Sequence, residues 1–192
     1  MLEHSGTIKL QSERLILRKF YYGDADSMLS NWISDPAVQN NYGEPVYESY
    51  EDVKALLDNW ISQYKNKDFY RWAVILKDTG ESIGQIAFCR VYTEAGTAEV
   101  EYCIGRNFWG KGYTAEALRM ILQYSFGKPG FEKLEAFHRT GNPNSGRVLE
   151  KSGLRKAANI TRFELISRQP VNEICYALTK DEYFGSSNKL KD

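Results

Sequence analysis

The sequence predicts a single α/β (α+β) domain in which helices flank a mixed, mostly antiparallel sheet of about seven strands. Three observations carry this expectation. The 192 residues, 42% of them hydrophobic, suffice for one substantial core and are few for two. Strand-like runs between residues 70 and 104 are divided by short turns, with no room for a crossover helix, which favours antiparallel neighbours. From Tyr113 onward the apolar spacing shifts from a period of two to a helical one. The chain, 1–192, therefore reads as one domain with its core over about residues 12–183.

Taken in order, Ser12–Phe20 alternates Leu15 and Leu17 with polar neighbours and is expected as a half-buried strand. Asp24 offers an N-cap to a short helix over Ala25–Ile33, which Pro36 ends. Residues 35–48 are rich in turn formers and are expected as a loop bearing the contact side chains Asn41, Tyr42 and Tyr47. Ser49 caps a second helix, Tyr50–Tyr64, with Val53, Leu57, Trp60 and Ile61 on its apolar face. Strands follow at Tyr70–Leu76, Ile83–Tyr92 and Ala98–Ile104, with turns at Thr79-Gly80 and Ala95-Gly96. Tyr113–Phe126 is an amphipathic helix burying Ala117, Leu118, Ile121, Leu122 and Phe126. A strand at Leu134–Arg139 leads to a short helix, Ser145–Ser152, ended by Gly153. Strands near Ile160–Ile166 and Glu173–Leu178 close the domain, and Gly185–Asp192 is a polar tail.

Composition excludes several classes. Lys plus Arg and Asp plus Glu number 25 each, so no overall field draws the chain to nucleic acid or an anionic membrane. Cys89, Cys103 and Cys175 each sit in an apolar or aromatic stretch and read as reduced core residues. With His4 and His138 the only histidines and no paired Cys/His spacing, no metal site is expected. The opening MLEHSGTIKL lacks both regions of a signal peptide, and no window approaches about 18 uninterrupted apolar residues. The expectation is a cytoplasmic protein, monomer or homodimer, without direct nucleic-acid or membrane contacts.

The most informative segment is Glu99–Ala117, EVEYCIGRNFWGKGYTAEA. A strand runs into a loop with Gly105, Gly110 and Gly112 and then directly into a helix. Free N–H groups and the positive dipole end of a helix, with glycines that let the backbone approach, make a site for phosphate. Gly105-x-x-x-x-Gly110-Lys111 approaches a P-loop, but Gly112 stands where a magnesium-binding Ser or Thr is needed. The dinucleotide fingerprint fails at its third glycine, Ala115, and the surrounding pattern lacks a parallel βαβ unit. A glycine loop that only turns the chain is the remaining alternative.

The run FWGKGYTAEAL resembles the pyrophosphate-binding motif of GNAT acetyltransferases, in particular the Rim-type branch that acetylates ribosomal-protein N-termini. Ser12–Arg18 (SERLILR) resembles that branch's first strand. Asn142–Leu154 (NPNSGRVLEKSGL) resembles its Asn-x-x-Ser helix, with Leu154 in place of the usual Phe. The resemblance extends from Ser12 to about Tyr183. It implies acetyl-CoA as cosubstrate, no metal, and direct transfer of the acetyl group to an amine without an acetyl-enzyme. Two departures stand out: Asn107 replaces a usual Gln or Arg, and Glu101 replaces a frequent Gly.

By that resemblance, Tyr102, Cys103 and Ile104 lie along the pantetheine and thioester. Phe108, Trp109, Gly110, Lys111, Gly112, Tyr113 and Thr114 cradle the pyrophosphate, and Asn142 meets the pantetheine arm. Ser145 falls where relatives place a proton donor to the CoA thiolate, although Asn-Pro-Asn-Ser is also good helix-start chemistry. Glu164 falls where a glutamate is proposed to deprotonate the acceptor, against the plainer reading of a solvent-facing strand carboxylate. Glu99 and Glu101 share a strand face by period two and either serve the acceptor ammonium or pair with arginines such as Arg71 and Arg90. His138 is a reserve candidate, since a lone strand histidine is more often structural.

An α-amine with pKa about 7.7–8.0 is roughly a tenth neutral at pH 7, whereas a lysine amine near 10.4 is only about 0.04% neutral. With no strong base arrangement visible in the sequence, the expected acceptor is a peptide or protein N-terminus, entering between the Asn40–Tyr47 loop and the Arg162–Asn172 segment. A small amine is the alternative within the enzyme class, favoured by Glu44 and Glu48. An acyl-CoA sensor without turnover is the alternative outside it.

Overall fold

A computed structural model of the chain describes residues 2–163 and 169–188. Among these, one sheet of eight strands runs in the order β1-β2-β3-β4-β5-β6-β8-β7. The strands are β1 Leu10–Gln11, β2 Leu15–Arg18, β3 Arg71–Leu76, β4 Ser82–Tyr92, β5 Thr97–Ile104, β6 Lys133–Arg139, β7 Arg155–Phe163 and β8 Pro170–Thr179. All neighbours are antiparallel except β5 and β6. The helices are α1 Ala25–Met28, continued by a π-turn over Leu29–Ile33, then α2 Pro36–Tyr42, α3 Tyr50–Gln63, α4 Tyr113–Phe126, α5 Pro143–Lys151 and α6 Lys180–Asn188.

The apolar residues separate onto the two faces of the sheet. Leu118, Ile121 and Phe126 from α4 pack with Trp72, Ile86 and Leu134 on one face. Trp32, Val53, Leu57 and Trp60 cover Ala73 and Ile75 on the other. Alternation along β3 sends Trp72 and Val74 one way and Ala73 and Ile75 the other, which is why its residues read as one apolar run.

The sheet has one strand more than expected, because Leu10–Gln11, ahead of the expected Ser12–Phe20 strand, pairs with β2 as a strand of its own. The Ser12 amide donates to the Leu15 carbonyl at 3.0 Å, and the Leu15 amide to Ser12 Oγ at 3.2 Å, closing a tight turn. That turn folds β1 back on β2. The expected 35–48 loop contains α2: the Asp35 carboxylate accepts from the Ala37 amide at 2.9 Å, and Pro36 occupies the first turn. Gly43, at φ +86°, ends that helix. The supposed polar tail begins inside a helix, since α6 reaches Asn188.

Two further expectations are corrected. β5, α4 and β6 do form a parallel βαβ unit, hidden in the sequence because its two strands pair over only four residues. Cys89 is exposed instead of buried. It is the extra residue of a bulge between Phe88 and Arg90, and the interrupted alternation turns its side chain out of the core.

Candidate active site

β5 and β6 pair from Thr97↔Lys133 to Val100↔Ala136 and no further. Beyond that point β5 continues to Ile104 against β4 alone, and β6 continues to Arg139 against β8 alone. The strands splay, leaving one edge of Glu101–Ile104 outside any ladder, and main-chain groups so exposed call for another partner. A cleft of about 1170 Å³ opens there.

The glycine loop forms one end of this cleft. Gly105 lies so close to the Asn31 carbonyl oxygen that a Cβ on it would collide. Gly110 at φ +75° and Gly112 at φ +81° take the left-handed conformation that side chains resist. Gly112 is the N-cap of α4, and the first intrahelical bond runs from the Glu116 amide to its carbonyl at 3.1 Å. The preceding amides of the first turn have no carbonyl one turn back. A Cβ at Gly110 would meet nothing within 4 Å, so the cradle is open on that side. Arg14 braces the loop: its guanidinium donates to the Lys111 carbonyl at 3.0 Å, pairs with Glu116 at 2.5 Å and lies 4.6 Å from the Tyr113 ring. Trp109 Nε1 donates to the Ile104 carbonyl at 2.6 Å, joining loop to strand end. These residues fit a pyrophosphate and the arm of a coenzyme.

Alternation along β5 gives the cleft two unlike walls. On the α4–α5 side, the Tyr102 hydroxyl lies 2.6 Å from Ser145 Oγ. Burial pushes the Tyr102 phenol up to about 12, with the Ser145 hydrogen bond pulling the other way. Asn142 caps α5 by accepting from the Ser145 amide at 3.3 Å, and Pro143 occupies the first turn. Gly146 allows the helix to sit close, since a Cβ there would lie 2.8 Å from His138 Nε2. His138 is buried, its Nδ1 2.8 Å from the Arg139 carbonyl and its Nε2 without a hydrogen-bond partner among the described residues.

The other wall carries charge. Glu101 accepts from Arg71 Nη2 at 2.9 Å and from the Tyr42 hydroxyl at 2.5 Å. Arg71 also reaches Gln85 and stacks 4.5 Å over Trp60. Burial and the Glu101 charge together push the Tyr42 phenol well up. Glu99, 8% exposed, accepts from Arg162 at 2.6 and 3.0 Å and from Arg90 at 2.9 Å. Burial alone would raise its carboxyl, but the arginine hydrogen bonds outweigh burial and hold it below the usual range. Arg162 thereby spans from the edge strand β7 to β5, its guanidinium 3.6 Å from the Phe137 ring. Desolvation raises the Glu44 carboxyl, and repulsion from Glu101 adds to it.

The cleft thus brings together Glu101, Tyr102, Cys103, Ile104, Trp109, Gly110, Thr114, Asn142 and Ser145. Cys103 is buried, and burial followed by the Glu101 charge pushes its thiol up, as suits a packed strand residue. Lys111 stands on the loop with its Nζ 5.6 Å from the Phe108 ring. Glu164 lies outside the described residues. Sequence reasoning missed the Tyr102–Ser145 pair, the Tyr42–Glu101 bond and the Arg162 span, all contacts between residues more than 40 positions apart. Among the described residues no group of three or more His, Cys, Asp or Glu is placed to hold a metal ion, and no helix is long and apolar enough to cross a membrane.

A sequence profile for the "Acetyltransferase (GNAT) domain" matches residues 14–155. The uncharacterized N-acetyltransferase p20 of Bacillus licheniformis is 29% identical over 176 residues, 92% of this chain and 98% of the relative. The crystal structure of a GNAT-family acetyltransferase from Bacillus anthracis superposes with a TM-score of 0.77 at 26% identity, covering 91% of this chain and all of that one. A ribosomal-protein-S5-alanine acetyltransferase from Vibrio fischeri shares the fold with a TM-score of 0.75 at 18% identity, covering 92% and 98% of the two chains.

Proposed function

Because the chain belongs to the GNAT acetyltransferases, we propose that it transfers acetyl directly from acetyl-CoA to the α-amine of a peptide or protein N-terminus. The amides of Phe108–Thr114 hold the pyrophosphate, and the free edge of Tyr102–Ile104 binds the pantetheine arm and thioester beside Asn142. Ser145, hydrogen-bonded to Tyr102, returns a proton to the thiolate. Glu101 shapes the acceptor wall through Arg71 and Tyr42.

The observation that carries the acceptor reading is the charge balance of the cleft. Glu99 and Glu101 are each taken up by arginines. Five carboxylates and six Lys or Arg side chains line the cleft among the described residues. A polycation gains nothing from such a wall. An α-amine, about a tenth neutral at pH 7, requires only one modest base. The fold shared with a ribosomal-protein acetyltransferase agrees with this reading. A small monoamine acceptor is the second reading, favoured by Glu44, which shares Arg71 with Glu101.

The test is thiol release from acetyl-CoA with free Ser-, Thr- and Ala-starting peptides, their N-blocked forms, spermidine and a simple monoamine. Turnover confined to free peptide N-termini supports the proposal. Turnover with the monoamine or spermidine, and none with peptides, replaces the acceptor.

A further inference from the structure

We propose that Glu173, on β8, is the general base that receives the proton of the acceptor ammonium; the inference rests on the transferase reading of the cleft, but not on which amine is the acceptor. The carboxylates of the acceptor wall differ in what they have left to offer. Glu99 is held by three arginine hydrogen bonds and Glu101 by an arginine and a tyrosine. Both are structural anions with their lone pairs largely spent. Glu173 lines the same cleft, yet its Oε2 is buried without a hydrogen-bond partner among the described residues. Its contact with Arg162 Nε is long, 3.8 Å, because both Nη groups of that arginine are committed to Glu99.

The register places Glu173 on the acceptor face. It pairs with Arg139 of β6 and Ile160 of β7, while Cys175, two residues on, pairs with Phe137. It therefore shares a face with Phe137 and lies three residues past the last β5–β6 pair, on the open side of the splay. The charged groups that act on it are Arg162 of β7, Glu99 of β5, Arg139 of β6 and Arg90 of β4. Burial raises its carboxyl, Arg162 opposes and Glu99 repels, leaving the group above the ordinary value. A carboxylate in that condition is a better proton acceptor at neutral pH than Glu99, whose carboxyl the arginines hold low.

The proton balance closes without a further reactant. Glu173 takes one proton from the ammonium, directly or across one water, and releases it to solvent. The neutral nitrogen attacks the thioester carbonyl, the N–C bond forms and the C–S bond breaks with its electron pair on sulfur. Ser145 gives its proton to the thiolate, and the second nitrogen proton, leaving as the amide forms, passes back to Ser145 across water, so that the hydroxyl is restored.

The test is Glu173→Gln in the full chain, with Glu173→Asp beside it, assayed with whichever amine the wild-type enzyme turns over. Glu173→Gln is expected to lose about 10²–10⁴-fold in kcat with acetyl-CoA binding unchanged. The acid limb of its kcat/KM profile is expected to disappear, and Asp is expected to restore part of the rate. The melting temperature is expected to hold or rise, because a carboxyl raised by folding destabilises the native state once ionised. Loss of rate together with a lowered melting temperature, or a rate within threefold of wild type with its acid limb intact, overturns the proposal. A wild-type enzyme that acetylates a monoamine would replace the N-terminal reading while leaving Glu173 to be judged by the same variants.

Discussion

Glu99 and Glu173 face one cleft and carry opposite linkages to pH. Glu99 is depressed in the folded state, so its stabilisation is present above the ordinary carboxylate pKa, about 4.3, and is lost as pH falls through the lower folded value. Glu99→Gln leaves the guanidiniums of Arg90 and Arg162 facing each other, the first 44% and the second 29% exposed. With that solvent screening the expected cost is about 1–3 kcal/mol, not the full penalty of a deeply buried pair. Denaturant melts at pH 7 and below pH 4 check it: the difference between variant and wild type is expected to shrink at the lower pH. Tyr102 calls for a different measurement. Tyr102→Phe keeps the ring and removes only the hydroxyl that meets Ser145 at 2.6 Å. If that contact aligns the proton donor, kcat falls by about tenfold or more with the KM for acetyl-CoA little changed. Equal kcat values for Phe and Tyr would reduce the pair to packing.

The phosphate loop behaves as one element, strand end to helix start, and its conformation depends on glycine where φ is positive. Gly112→Ala places a side chain at φ +81°, expected to cost about 1–2 kcal/mol. If the strain is relieved by moving the loop, acetyl-CoA binding weakens by about tenfold for each 1.4 kcal/mol. Calorimetric titration with acetyl-CoA beside a thermal melt separates the two outcomes. This element was the most legible in the sequence: α4 spans the predicted Tyr113–Phe126, because its apolar face repeats over four turns between a glycine and Gly127. Residues 35–48 were misread because turn-forming residues also start and end helices, with Asp35 and Gly43 as the two caps of α2. The acceptor wall was only half legible. Period two put Glu99 and Glu101 on one face, but nothing local in the sequence announces that Arg162 reaches Glu99, 63 residues away, or that Glu173 sits beside them. Side-chain partners across non-adjacent strands are properties of the register, and the register is set by the whole sheet.

At the scale of the molecule, the sheet is two half-sheets, β1 to β5 and β6 to β8, joined through four residue pairs. Helix α4 packs onto both, and Arg162 ties β7 across to β5. The splay exposes backbone in the middle of a folded domain, where a ligand can complete the ladder. Acetyl-CoA should accordingly bind as a missing segment of sheet, its amide groups meeting the free edge of Tyr102–Ile104. At a hundredfold excess over Kd, such binding adds about 2.7 kcal/mol to the folded state. For a chain of this length that corresponds to a rise in melting temperature of about 5–10 °C. Hydrogen exchange locates the effect: slowed amides are expected in Glu101–Ile104 and in the first turn of α4, while the fully laddered β2–β3 pair stays unchanged. Uniform slowing over all strands would mean that the ligand stabilises the fold globally without docking along the splayed strand. Protection in α4 alone would restrict its contacts to the phosphates and remove the thioester from the position on which the roles of Ser145 and Glu173 depend.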